Sequence, residues 1–139
     1  MDISRLYRSE LRDLFKNRGE PSFRGDQVFD WLHNKRVTDF GEMTNLPAAT
    51  RAWLAAEYSI PFADCVRRQI SSDGTEKYLF SFSDGNCVET VAMRYEHGLS
   101  VCVSTQVGCR MGCRFCASTQ NGLVRSLTAG EILAEVYSI

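Results

Sequence analysis

The spacing of apolar residues changes at Pro61, and that change limits the fold more than any other feature of the chain. Before it the spacing is helical; after it the period is two. Residues 5–17 carry Leu6, Leu11, Leu14 and Phe15 at helical intervals, and Gly19 follows as a stop. Ser22 stands where it would cap a second helix with Phe23, Val28, Trp31 and Leu32 along one side. Pro47 suits the first turn of a third helix through Trp53, Leu54 and Tyr58, with 39–45 as the connector before it. Beyond Pro61, residues 66–70, 77–82, 87–93 and 99–104 read as strands. Ser72-Asp73-Gly74-Thr75, Ser83-Asp84-Gly85-Asn86 and Glu96-His97-Gly98 supply the turns between them. Tyr78, Phe80 and Phe82 fall on one face, and a β-meander accounts for the first three strands. Helical spacing returns at Thr128, which forms capping-box spacing with Glu131 ahead of Ile132, Leu133, Val136 and Tyr137. The last strand, a cysteine-rich loop and this helix make the start of a βα unit.

Composition removes several function classes. Hydrophobic residues at 44% and charged residues at 24% suit a folded chain rather than a disordered one. Sixteen Lys+Arg balance 17 Asp+Glu, so net charge offers no argument for a nucleic-acid partner. The opening residues lack the apolar run of a secretory signal, and no stretch approaches the ~18 apolar residues of a membrane span. A cytoplasmic location is therefore expected, where clustered cysteines serve as metal ligands or catalysts rather than disulfides. A secreted disulfide module is excluded on the same ground.

Four of the six cysteines lie between Cys102 and Cys116. Cys109, Cys113 and Cys116 have C-x3-C-x2-C spacing. Three thiolates can hold three irons of a [4Fe–4S] cluster and leave the fourth iron open. A structural zinc site wants a fourth ligand, to be recruited from Cys102, His97 or further away. Spacing alone leaves the iron–sulfur cluster, zinc and a ligand-free cysteine-rich turn as alternatives. Gly108 and Gly112 let the backbone wrap closely round an inorganic core. No acidic residue occurs between Glu96 and Glu131, whereas Arg110, Arg114 and Arg125 do, so the segment is locally positive.

The run Cys102-Val-Ser-Thr-Gln-Val-Gly-Cys-Arg-Met-Gly-Cys-Arg-Phe-Cys116 narrows these alternatives. C-x3-C-x-aromatic-C after a strand resembles the radical S-adenosylmethionine (SAM) superfamily. With Asp84-Gly85-Asn86-Cys87-Val88-Glu89-Thr90-Val91 before it and Gly122-Leu123 through Leu127-Thr128 after it, the sequence resembles the RlmN/Cfr family. That family methylates adenosine carbons in ribosomal RNA. The similarity is traced from about Phe23 onward and is densest from Glu89 to Glu131.

The resemblance implies a division into a helical accessory, RNA-binding-like domain (1–62), a β-meander extension (63–98) and the start of a radical SAM core (99–139). The core is expected to be the first βα unit of a partial TIM-type barrel, and the chain about the first third of such an enzyme. It further implies that Cys109, Cys113 and Cys116 hold a [4Fe–4S] cluster whose open iron is chelated by SAM. Reductive cleavage of SAM would give a 5′-deoxyadenosyl radical, which takes hydrogen from a methyl group carried on a C-terminal cysteine outside these residues. Cys102 corresponds to a second catalytic cysteine, which helps deprotonate the RNA adduct and then forms the disulfide that releases product. Glu89 corresponds to a glutamate that handles protons near the substrate, and Phe115 to the ring flanking the SAM adenine. On the residues alone, Cys102 reads as a small buried strand residue, Glu89 as a solvent-facing carboxylate and Phe115 as ordinary packing. Glu89 nevertheless alternates with Cys87, Val91 and Met93, which would set it on a largely apolar face.

The expected partners are 23S rRNA, with tRNA as a second candidate, and a flavodoxin-type electron donor; no membrane is expected, and the enzyme is expected to be monomeric. C2 methylation is preferred over C8 methylation because C2-type members are commoner, and no residue present distinguishes them. A non-catalytic zinc or iron–sulfur RNA-binding module is the rival reading. Cys65 and Cys87 are expected to be buried thiols without a role, and His33 and His97 are assigned nothing. If the chain ends at Ile139, the face of Ile132, Leu133 and Val136 is expected to be left exposed.

Overall fold

The computed structural model describes residues 1–139, and the chain divides into two compact units, Met1–Pro61 and Phe62–Ile139. The first unit is helical. Helix α1 (Arg8–Asn17) starts later than its apolar pattern, where the Glu10 carboxylate accepts the Tyr7 N–H at 2.7 Å. Helix α2 (Phe23–His33) follows, but Ser22 makes no side-chain cap. Ser22 itself has helical dihedrals, so its hydroxyl is not positioned to reach back as an N-cap does. Packing of α1 on α2 requires Gly25, because a Cβ there would lie 2.5 Å from the Arg12 nitrogen.

A single 3-10 turn, Phe40–Glu42, interrupts the expected connector, with the Asp39 side chain accepting the Gly41 N–H. It sinks Phe40 and Met43 into the core. Helix α3 (Ala48–Glu57) has Pro47 at its N-cap and ends before Tyr58. Ile3, Leu11, Phe15, Val28, Met43 and Leu54 form the centre of this core, with Trp53 edge-on to Phe15.

The second unit opens with a four-stranded antiparallel sheet in the order β1 (Asp64–Ile70), β2 (Glu76–Ser81), β3 (Cys87–Tyr95), β4 (Gly98–Cys102). Tyr78 and Phe80 are buried on one face of β2, with parallel rings 5.5 Å apart, and Phe82 joins them just beyond the strand. Every residue of β1 is exposed, so this edge strand is held by its ladder to β2 and not by burial. Cys65 and Cys87 are accordingly exposed, not buried as their residue type suggested.

The fourth strand does not run straight into the cysteine loop. It ends at Cys102, and a short hairpin of β5 (Gln106–Gly108) and β6 (Leu123–Ser126) then carries the loop between its strands. Helix α4 (Ala129–Tyr137) begins with the expected capping box between Thr128 and Glu131. Its buried face is Gly130, Ala134 and Glu135. Ile132 packs partly on the core, and Val136 is 41% exposed, so the expected bare stripe is only partly bare. The core of this unit gathers Phe80, Phe82, Val88, Ala92, Val107, Leu127 and Ala134. The observed architecture is a small helical bundle, a short antiparallel meander and a partial βα unit that begins at the cysteine loop.

Candidate active site

The loop Cys109–Gly122 is anchored at its base by the β5–β6 hairpin. The Cys109 N–H donates to the Gly122 carbonyl at 3.0 Å. Gly108 has a φ of +74°, and a Cβ on it would fall 2.0 Å from that same carbonyl oxygen. Only glycine meets both demands. Inside the loop, the Cys116 N–H donates to the Cys113 carbonyl at 3.1 Å, and the Thr119 hydroxyl donates to Cys113 and Cys116 carbonyls at 3.2 and 3.4 Å. The Met111 N–H points at the Cys109 sulfur at 3.5 Å.

Cys113 is exposed, whereas Cys109 and Cys116 are half-buried, and all six cysteines are free. The three loop thiols do not converge into a metal-ligand set in this structure. Their donor chemistry nevertheless suits an iron–sulfur cluster. Three soft sulfurs share one loop, no carboxylate competes within it, and a backbone N–H already faces one of the sulfurs.

Arg125 locks the hairpin from its far strand. Its guanidinium donates to both Glu131 oxygens at 2.9 and 2.8 Å and to Asp84 Oδ2 at 2.6 Å. The Glu131 and Asp84 bonds raise the Arg125 pKa further. The same guanidinium, aided by Asn86, holds the Asp84 carboxyl well below the usual carboxylate range. Burial pushes Glu131 up, but the Arg125 and Thr128 hydrogen bonds more than offset it. Arg125 is therefore neutralised structurally, and the positive character of the loop rests on the exposed Arg110 and Arg114.

An open cavity of about 600 Å³ lies beside the loop, lined by Glu89, Cys102, Ser104, Gln106, Cys109 and Ser118 among others. Cys102 is exposed at the end of β4, opposite Val91 of β3. Glu89 shares a face of β3 with Cys87, Val91 and Met93, as their alternation predicts, and that face is the exposed or half-buried one. Its neighbours Val88, Thr90 and Ala92 take the buried face, and its side chain is 60% exposed and paired with Lys77 at 3.0 Å. Phe115 is 94% exposed and packs on nothing.

The sequence reading missed Glu135. It is fully buried, and its Oε2 accepts the Thr90 hydroxyl and the Ser104 N–H, the latter at 3.0 Å. Its other oxygen, Oε1, is buried without a hydrogen-bond partner. Ser104 in turn donates its hydroxyl to the Glu89 carbonyl at 2.7 Å. These bonds explain why β4 stops at Cys102: the Ser104 amide and hydroxyl are taken by Glu135 and Glu89, not by a ladder. The sequence signal for it is a carboxylate inside the apolar run Ile132–Tyr137, and its place four residues after Glu131 matches the spacing of a polar face, which masks the burial.

Comparison with known proteins places this geometry. Residues 1–60 match the family model "Ribosomal RNA large subunit methyltransferase N-terminal domain". Similarity thus covers the first helices as well, and does not begin at Phe23. The chain is 56% identical over 140 aligned residues to "Probable dual-specificity RNA methyltransferase RlmN" of Lachnoclostridium phytofermentans, covering 100% of this chain and 39% of that protein. Against the protein of the same description from Geobacillus thermodenitrificans the identity is 52%, covering 99% of this chain and 38% of the relative. The crystal structure of a radical SAM methyltransferase from Sphaerobacter thermophilus superposes with a TM-score of 0.84 at 41% identity, covering 99% of this chain and 41% of the other. The chain therefore spans about two fifths of the length of these relatives. Sequence and fold agree along its whole length, and over that span the chain belongs to the RlmN family of radical SAM RNA methyltransferases.

Proposed function

We propose that this chain is the N-terminal part of an enzyme that methylates C2 of adenosine in 23S rRNA, with tRNA as a second substrate. The observation that supports the reading is the shared cavity wall: Glu89, Cys102 and Cys109 line one opening beside the three-cysteine loop. Amidine carbons of adenine are poor nucleophiles, so a polar methyl transfer meets a high barrier and a radical route avoids it. Cys109, Cys113 and Cys116 would hold a [4Fe–4S] cluster, which with SAM supplies one-electron chemistry when bound. Phe115, exposed and flat, offers its ring to the adenine of SAM. The exposed Arg110 and Arg114 attract the RNA backbone to the loop. Cys102 supplies a thiol for removing a proton from the substrate carbon and for the disulfide that frees the product. Glu89 handles a proton at the mouth of the cavity, where Lys77 keeps it oriented.

The test uses the full gene product, reconstituted anaerobically with iron and sulfide, with SAM, a reduced flavodoxin and a 23S rRNA fragment. The expected result is a 2-methyladenosine product, about four irons per chain, and loss of that iron in Cys113→Ala. Cys102→Ala should retain the iron but accumulate protein cross-linked to RNA. Stoichiometric zinc with RNA binding and no methylation would replace this reading with the binding-module one, and normal turnover by Cys102→Ala would remove its proposed role.

A further inference from the structure

Glu135 is the one titratable side chain of the second unit that is wholly buried, and its contacts lead to the cavity rather than away from it. A carboxylate in such a place is unfavourable unless its oxygens are satisfied, and here one oxygen takes two donors while the other takes none. Ser104 lines the cavity, and Thr90 lies behind it on the buried face of the strand that carries Glu89. Thr90 is the residue after Glu89 on β3, and Ser104 lies two residues beyond Cys102. Ser104 then closes the circuit by donating to the Glu89 carbonyl at 2.7 Å. A hydrophobic residue would fill the space under α4 equally well, yet it would leave the Thr90 hydroxyl and the Ser104 amide buried or half-buried without an acceptor.

We propose that Glu135 is a positioning residue: through the Thr90 hydroxyl and the Ser104 amide it holds the chain leaving β4 against β3, and so sets where Cys102 and Glu89 stand in the cavity. The significance of those two groups rests on the function proposed above; the positioning itself does not. What is required of position 135 is an acceptor, so glutamine serves in place of glutamate and leucine does not. Burial raises the Glu135 pKa, with the nearby Glu131 carboxylate adding to the effect, which agrees with a role that needs no charge.

The experiment measures amide hydrogen exchange of the peptide containing Ser104, and the alkylation rate of Cys102 by iodoacetamide, in the full gene product without cluster, SAM or RNA. Glu135→Leu should speed exchange at Ser104 about tenfold and change the Cys102 rate by more than about threefold, with exchange in the β1–β2 hairpin unaltered. Glu135→Gln should stay within about twofold of the parent on both measures. Parent-like values for Glu135→Leu overturn the proposal, as does a Glu135→Gln variant that behaves like Glu135→Leu. If Glu135→Leu does not fold, Thr90→Val decides the matter beside Glu135→Gln: it keeps the shape but removes one donor, and an unchanged Cys102 rate overturns the proposal. None of these measurements depends on methyl transfer, so an inactive enzyme with the expected exchange pattern counts against the function alone.

Discussion

Glu135 and Arg125 solve opposite electrostatic problems within the same helix–hairpin corner. Arg125 collects two carboxylates, so Asp84 and Glu131 are both held below their ordinary values and favour the fold in their charged forms. Stability from that pair is present above the unfolded carboxylate pKa and is lost as pH falls. Glu135 works the other way. Burial raises its folded pKa above the ordinary 4.5, while the Thr90 and Ser104 bonds offset only part of the rise. Its contribution is therefore complete below the unfolded value and is lost as pH rises through the folded one. Facing Glu135 are Thr90 of β3, Ser104 after β4 and, along α4, Glu131, and among them only Glu131 is charged. Urea denaturation across that pH interval should show Glu135→Gln gaining stability on the parent as pH rises. Parallel curves for the two proteins would mean that Glu135 keeps an ordinary pKa.

At the scale of elements, the cysteine loop owes its shape to the hairpin beneath it. Gly108, Gly112 and Gly122 all have left-handed dihedrals there, but their surroundings differ. Gly112 (φ +68°) has nothing near its missing Cβ, whereas Gly108 (φ +74°) has the Gly122 carbonyl oxygen 2.0 Å away. An alanine at 112 faces only the left-handed backbone cost of about 1–2 kcal/mol. At 108 it faces that cost and must also push the two hairpin strands apart. Gly108→Ala should thus lower the melting temperature clearly more than Gly112→Ala and should raise the alkylation rate of Cys109. Equal shifts for the two variants would show that the hairpin opens without penalty. The hairpin itself escaped the sequence pattern because β5 and β6 contribute only three and four residues. Strands so short contain too little alternation to register.

Across the whole molecule, each unit builds its own core. The core under α4 is small and depends on a few large side chains, of which Phe80 is fully buried and stacked on Tyr78. Truncation there removes apolar contact and leaves a cavity, so Phe80→Ala should cost about 3–5 kcal/mol. That is a large part of the ~5–15 kcal/mol available to a domain. Equilibrium denaturation monitored by exchange at Ser104 checks it, and a loss under about 1 kcal/mol would mean that the core re-closes around the gap. No helix of the chain is long and apolar enough to cross a membrane. Much of this organisation was legible beforehand. The break at Pro61, the meander and its turns, the capping box of α4 and the cysteine spacing are written in neighbouring residues, because helical and strand periods and turn chemistry are local properties. What stayed hidden depends on partners far apart in the chain. Glu135 meets Thr90 and Ser104 across 45 and 31 residues, and Arg125 reaches Asp84 across 41. The sequence by itself determined the longer helices, the antiparallel meander and which thiols share a loop. Only the tertiary structure decided that the open face of β3 carries Glu89, that Arg125 is spent on structure, and that a buried carboxylate holds the cavity wall. Burial and pairing are settled by which surfaces meet, and periodicity within one element does not encode that.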